Sequence, residues 1–132
     1  MALSEIVRPS TPNTALGAPL GFTPDPDIIT AEYSVPAARL YTAIRAVAGA
    51  QPRVFPAADY PDRLQAHYVA RSRLMNFPDL IMVQAIAAGP DHARLVIWSR
   101  SIYGQRDFGV NQARAGQWIA ALNTILNTRT EH

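Results

Sequence analysis

The sequence predicts an α+β fold in which an antiparallel sheet of about four to five strands carries two amphipathic helices on one face, preceded by a Pro-rich N-terminal arm. Apolar residues recur at helical spacing around residues 36–48 and 111–127. Apolar and polar residues alternate along residues 64–73 and 94–101, which is typical of half-buried strands. Short turns separate the strands, and consecutive antiparallel strands need no longer connection.

The composition limits the classes of protein to consider. A length of 132 residues suits one domain, and 48% hydrophobic residues are enough for a core. The absence of Cys excludes disulfides, zinc–thiolate sites and a Cys nucleophile. No apolar run approaches the roughly 18 residues of a membrane span. Residues 1–30 lack the pattern of a signal peptide, so we expect a cytoplasmic protein unless a leader or anchor has been removed.

The N-terminal arm covers residues 1–29 and contains five prolines. Proline is unfavourable in helix interiors and central strands, so we expect this arm to be irregular. Three of its apolar residues could pin it to the core: Leu16, Leu20 and Phe22. Residues 30–127 then form the single α+β domain, and residues 128–132 form a C-terminal tail.

The first predicted strand, residues 28–33, leads into the first predicted helix. Ser34 or Val35 caps this helix, and Pro36 occupies an early position where its missing N–H costs little. Gly49 ends it. The stripe expected to face the core is Leu40, Ile44, Val47 and Ala48.

The remaining strands are predicted from alternation and from the turns between them. Residues 53–55 form a short strand, and the prolines around residues 57–62 predict a turn. The segment 80–88 is apolar on both faces and should therefore be central. Residues 89–92 form a hairpin turn between this strand and the next.

The second helix is predicted to begin at Asn111, a good N-cap, and to end near residue 127. Gly116 lies inside it, and a Gly there often permits close packing against a neighbour. Its stripe is Trp118, Leu122, Ile125 and Leu126. We expect Trp118, Leu122 and Ile125 to be buried together with the stripe of the first helix.

Several short motifs, in a fixed order, resemble a known family. They are Tyr68-Val69-Ala70-Arg71-Ser72, Phe77-Pro78-Asp79-Leu80-Ile81, Ser99-Arg100-Ser101, and Asp107-Phe108-Gly109-Val110-Asn111 followed by Arg114 and Trp118. This set resembles the bacterial family known as domain of unknown function fourteen-ninety-nine, over about residues 30–126. That family has no agreed activity, cofactor or catalytic residue, so the resemblance implies none. Some of its members sit beside membrane segments, which this chain lacks.

These motifs supply the candidate site. Six residues are candidates for binding a ligand: Arg71, Ser72, Ser99, Arg100, Ser101 and Arg114. Four more are candidate structural polar residues: Asp79, Gln84, Asp107 and Asn111. One interpretation is structural: Arg71 and Arg100 each end a strand, and an Asp follows each of them in a turn and pairs with it. The other is that these Arg residues converge with the Ser hydroxyls on an anion.

Strand alternation places several cations on one side of the sheet. The residues that alternation places on this side of the sheet are His67, Arg71, Arg73, Arg94, Trp98 and Arg100. If the helices cover the other side, these residues line an open face. Nucleic acid is an improbable partner, because the net charge is only +2 and Trp98 is the sole aromatic in this set.

The favoured hypothesis is a non-catalytic binding or interaction module for a small anion, a lipid headgroup or a protein partner. The alternative is an enzyme that uses the Arg/Ser/Asp cluster. No glycine elbow surrounds the candidate serines, so a hydrolase nucleophile is not indicated. No His or carboxylate cluster has metal-ligand spacing, and we expect neither metal nor cofactor.

Overall fold

The computed structural model describes residues 14–19, 27–71, 78–101 and 110–126. The elements are β1 (Thr14–Ala18), β2 (Ile28–Ile29), β3 (Glu32–Tyr33), α1 (Ala37–Gly49), β4 (Val54–Tyr60), a 3-10 turn (Pro61–Arg63), β5 (Gln65–Arg71), β6 (Pro78–Gly89), β7 (His92–Ser101) and α2 (Val110–Ile125). The α+β class and the two helices are as predicted. The sheet has seven strands instead of four or five. Among the residues described, no helix has the length and apolar character needed to cross a membrane.

The sheet is mixed but mostly antiparallel. Its strand order is β2-β1-β7-β6-β5-β4, and β3 also pairs with β7. Only β1 and β2 run parallel; the other pairs are antiparallel. The predicted meander of β5, β6 and β7 is confirmed. Gly89 ends β6 with a φ of 142°, a conformation that residues with a Cβ rarely adopt, so a Gly is required before this turn.

The expectation of an irregular N-terminal arm is wrong for residues 14–18, which form β1. β2 falls within the strand predicted over residues 28–33. β1 occupies the Pro-free window between Pro12 and Pro19, where the local sequence is compatible with a strand. The predicted strand over residues 28–33 is interrupted. Its first half pairs with β1 and its second half with β7, and Thr30 between them donates a hydrogen bond to the Leu95 carbonyl at 2.8 Å.

The predicted turn over residues 57–62 is also wrong in part, because β4 extends through Pro56 to Tyr60. β4 is the edge strand of the sheet and pairs only with β5. A proline is compatible with an edge strand, where an N–H that faces away from the ladder is not needed. The register shifts between Pro56 and Ala58, which is a β-bulge.

Helix α1 buries the predicted stripe, including Leu40 and Ile44 at 0% exposure. It begins at Ala37, and Pro36 stands at the N-cap without a side-chain cap bond. In α2, Trp118 and Leu122 are buried as predicted, but Ile125 is 46% exposed. Ile125 is the last helical residue. Periodicity predicts the side of the helix on which a residue lies, but it does not predict whether the sheet extends far enough to cover the end of the helix.

Both helices pack on the same face of the sheet, and one apolar cluster joins them. Its members include Tyr33, Leu40, Ile44, Tyr68, Ile81, Leu95, Ile97, Trp118 and Leu122. A second, smaller cluster lies on the opposite face and consists of Leu16, Ala18, Met82, Val96 and Trp98. The opposite face is therefore not open throughout, because Trp98 is only 2% exposed.

Candidate functional site

Five of the predicted polar residues meet where the N-terminal turn of α2 lies against β6 and β7. They form the α2 polar cluster: Asp79, Ser99, Ser101, Asn111 and Arg114. Arg114 Nη1 lies 2.9 Å from Asp79 Oδ2, 3.2 Å from Ser99 Oγ and 3.0 Å from Asn111 Oδ1. Ser99 donates to Asn111 Oδ1 at 2.5 Å, and Asn111 Nδ2 donates to Ser101 Oγ at 3.0 Å.

Strand register explains why these side chains converge. Asp79 on β6 is paired with Ser101 on β7, so the two side chains lie on the same face. Ser99 lies two residues earlier on β7 and points the same way. Asn111 and Arg114 are three residues apart on α2 and are therefore neighbours on its surface. The helix begins at Val110, one residue earlier than predicted, so Asn111 lies within its first turn.

The cluster is largely buried and its charges are matched. Ser99 and Asn111 are 0% exposed, while the side chains of Arg114 and Asp79 are 16% and 15% exposed. The predicted pairing of Arg71 with Asp79 is wrong, because Asp79 pairs with Arg114. No His lies among these five residues, and the only carboxylate is already paired with a guanidinium. The cluster therefore ties α2 to the sheet, and within the described part of the chain it offers no general base beside Ser99.

The other predicted residues lie elsewhere. Gln84 is half-buried and donates to the Arg63 carbonyl at 3.3 Å. Ser72 and Asp107 lie outside the described residues, so the predicted pair of Arg100 with Asp107 stays a prediction. Among the described residues, no group of three His, Asp or Glu side chains could hold a metal ion.

Arg71 and Arg100 lie on the face opposite the helices, so alternation separates them from Ser99 and Ser101. Four facing residues form a row across β4, β5, β6 and β7: Phe55, Val69, Leu80 and Arg100, with Thr14 on β1 paired next to Arg100. We call these four residues the Phe55–Arg100 row. Phe55 is 54% exposed, Val69 and Leu80 are half-buried, and Arg100 is exposed.

Phe55 was not recognised from the sequence as a site residue. Its segment predicts a short strand before a turn, which gives no reason to place Phe55 in the same row as Arg100. The signal that identifies it is the pairing of β4 with β5, which is a long-range contact. Local alternation alone cannot find it because Pro56 interrupts the pattern.

His67 lies in the middle of the same face, within a small aromatic and cationic group. Its ring is 5.2 Å from that of Tyr60 in an edge-on arrangement, and Arg63 stacks 4.4 Å above Tyr60. Gln65 Nε2 lies 2.8 Å from His67 Nε2. Burial, and repulsion from Arg63, lower the pKa of His67 below its ordinary 6.5, so the neutral imidazole is favoured.

The fold is similar to two solved structures at low sequence identity. A solution NMR structure of a protein from Thermobifida fusca matches with a TM-score of 0.54 and 14% identity, covering 91% of this chain and 99% of that one. The crystal structure of the di-domain ARO/CYC protein BexL from the BE-7585A biosynthetic pathway matches with a TM-score of 0.52 and 12% identity. The match covers 72% of this chain but only 44% of BexL. At such identities the similarity is one of fold.

The sequence comparisons agree with the motifs found in the sequence. No curated protein matches the chain. A family model described as "Protein of unknown function (DUF1499)" matches residues 7–122, which include every described residue of the α2 polar cluster and of the Phe55–Arg100 row. Because this match covers most of the chain, the protein belongs to the DUF1499 family.

Proposed function

We propose that this protein is a non-catalytic binding module that holds an anionic partner on the Phe55–Arg100 row. The observation that carries the proposal is the position of Arg100. Its guanidinium is exposed at the end of an apolar row, and no ion pair involves it among the residues described. Arg71, at the end of β5, is exposed on the same face.

The row combines two kinds of contact. Arg100 offers planar donors that match phosphate oxygens, and exposed Phe55 offers apolar surface on the same face. A partner that uses both must carry an anionic group next to apolar surface. The headgroup layer of an anionic membrane has this character, and a lipid headgroup is therefore the partner class that we favour over a free anion.

The alternative of an enzyme receives less support from the geometry. Ser99, the most buried of the candidate serines, donates to Asn111 and accepts from Arg114, so its hydroxyl is held within the α2 polar cluster. Asp79, which could have acted as a base, is neutralised by Arg114. These contacts favour a structural role for Ser99 and Asp79. The proposed binding site therefore lies on the opposite face of the sheet.

Vesicle sedimentation tests the proposal. We expect the parent protein to sediment with phosphatidylglycerol vesicles and much less with phosphatidylcholine vesicles, and raising the salt concentration should weaken the binding. Near an anionic bilayer one Arg contributes about 1 kcal/mol, so Arg100→Gln should weaken binding about fivefold. Phe55→Ser should also weaken it, through lost apolar contact.

Arg39→Gln is the matched control, because Arg39 is exposed on α1, on the other side of the sheet. Equal losses for Arg39→Gln and Arg100→Gln would indicate nonspecific attraction and contradict the proposed site. Thermal stabilisation by inorganic phosphate or glycerol phosphate, lost in Arg100→Gln but without vesicle binding, would identify a free anion as the partner. No response to vesicles or to these anions would exclude the proposal.

A further inference from the structure

A groove separate from the Phe55–Arg100 row opens between the C-terminal half of α1 and the strands β4 and β5. Its volume is about 390 Å³, which is within the range of small-molecule sites. Ala48, Val54 and Pro56 contribute apolar wall, and the small residue Gly49 keeps the end of the helix from filling the space. The groove therefore has room for a small apolar body.

The polar side chains of the groove come from α1 and β5. Thr42, Arg45 and Tyr68 line it, and Arg45 is the one charged residue among the described residues that do so. Arg45 and Tyr68 line the same groove, and the Tyr68 O–H can donate to a bound group. Burial raises the pKa of Tyr68, so the phenol stays protonated at neutral pH.

The ion pair between Arg45 and Asp59 is weak enough for Arg45 to bind the carboxylate of a ligand. Its Nη2 lies 3.6 Å from Asp59 Oδ2, and both side chains are about half exposed at 50% and 42%. A pair of this length and exposure contributes little. Asp59 would not be left without a partner, because the Tyr41 hydroxyl also donates to it. A guanidinium has five donors, so Arg45 can bind a second carboxylate.

We propose that this groove binds a small amphipathic monocarboxylate, with its apolar part between α1 and β4 and its carboxylate on Arg45 and Tyr68. The single cation of the lining matches one negative charge, and the apolar walls match a short aliphatic or aromatic body. This site differs in location and in ligand from the Phe55–Arg100 row.

Titration with octanoate and with octanamide, its neutral analogue, tests the proposal. Binding is measured by calorimetry and located by two-dimensional ¹H–¹⁵N NMR. We expect octanoate to bind more tightly than octanamide and to shift amide signals of residues 42–49, 54, 55 and 68. Arg45→Gln should reduce octanoate affinity at least tenfold and leave octanamide affinity nearly unchanged.

Gly49→Leu should weaken binding of both compounds by filling the groove. The variant should fold, because a Cβ at Gly49 meets no atom within 4 Å. Arg39→Gln controls for loss of a cation on the same helix, and Ala120→Leu controls for an added apolar side chain on an exposed helix position. Arg100→Gln should leave octanoate binding intact, which separates this site from the proposed membrane-facing row.

Three results would overturn the proposal. One is absence of octanoate binding to the parent at millimolar concentration. Another is equal affinity of the parent for octanoate and octanamide, which would remove any role for the carboxylate. The third is octanoate binding outside the groove, recognised by NMR shifts elsewhere or by an affinity that Arg45→Gln and Gly49→Leu both leave unchanged.

Discussion

At the scale of single residues, Arg114 has the most demanding position in the described structure. It carries a charge into a largely buried site and is held there by one carboxylate and two neutral acceptors. A buried charge is tolerated only when it is paired and hydrogen-bonded. Removing a partner of Arg114 should therefore lower the free energy of unfolding by more than the hydrogen bond itself contributes, because the charge is left unpaired. This makes Asp79 the residue to test.

Asp79→Ala should lower the free energy of unfolding by about 1–3 kcal/mol, because it leaves the guanidinium of Arg114 without its counter-charge. Urea denaturation measures the loss, and Asp62→Ala, at an exposed position in the 3-10 turn, is the control. The double variant Asp79→Leu/Arg114→Met should be more stable than Asp79→Ala, since no unpaired charge remains. An unchanged urea midpoint for Asp79→Ala would show that the pair is not needed for folding.

His67 should make the protein sensitive to mild acid. Because its pKa is lowered in the folded state, the unfolded chain binds a proton first as the pH falls. The stability that the neutral imidazole contributes is complete above pH 6.5 and is lost as the pH falls through the folded-state pKa. Urea midpoints measured from pH 7.5 to pH 4.5 should decline less steeply in His67→Gln. His92→Gln, at an exposed position, should keep the decline of the parent; equal slopes for the parent and His67→Gln would exclude this account.

At the scale of elements, the position of β1 depends on one glycine. A Cβ on Gly17 would lie 2.8 Å from Ile97 Cγ2, which is closer than real Cβ contacts allow, and 3.0 Å from Ile119 Cδ1, which is a tight contact. The methyl group of Ile97 is attached to its branched Cβ and cannot easily move aside. Gly17 therefore sets how closely α2 approaches the first strand. Gly116, which the sequence indicated for this role, would place its Cβ 4.0 Å from Ile28 Cδ1, an ordinary contact.

Gly17→Ala should destabilise the protein by about 1–3 kcal/mol through overpacking between β1, β7 and α2. Gly116→Ala is the matched variant and should be stabilising by about 0.5–1 kcal/mol, because it adds helix propensity without a clash. Thermal denaturation of both distinguishes the two glycines. If Gly17→Ala melts at the temperature of the parent, β1 and α2 are free to move apart and the close approach is not a constraint.

At the scale of the whole molecule, local sequence patterns predict the elements that depend on residues close together in the sequence. The stripe of α1 and the meander of β5, β6 and β7 depend on periodicity and short turns, and both are confirmed. The sequence does not predict β1 or the second half of β4, because a proline excludes a segment from a central strand but not from an edge strand or from a Pro-free segment. The pair of Arg114 with Asp79 was missed because it joins residues 35 positions apart, on elements whose packing no local pattern reports.

The place of β1 in the sheet also bears on how the chain is made. Thr14 pairs with Arg100, so β1 leaves the ribosome well before β7, the strand with which it pairs, has been made. At roughly 5–20 residues per second, this interval lasts several seconds. During that time Leu16 has no finished sheet to pack against, and the β7 edge that will receive β1 does not yet exist. The nascent chain therefore passes through a stage in which β1 has been made but β7, its antiparallel partner, has not.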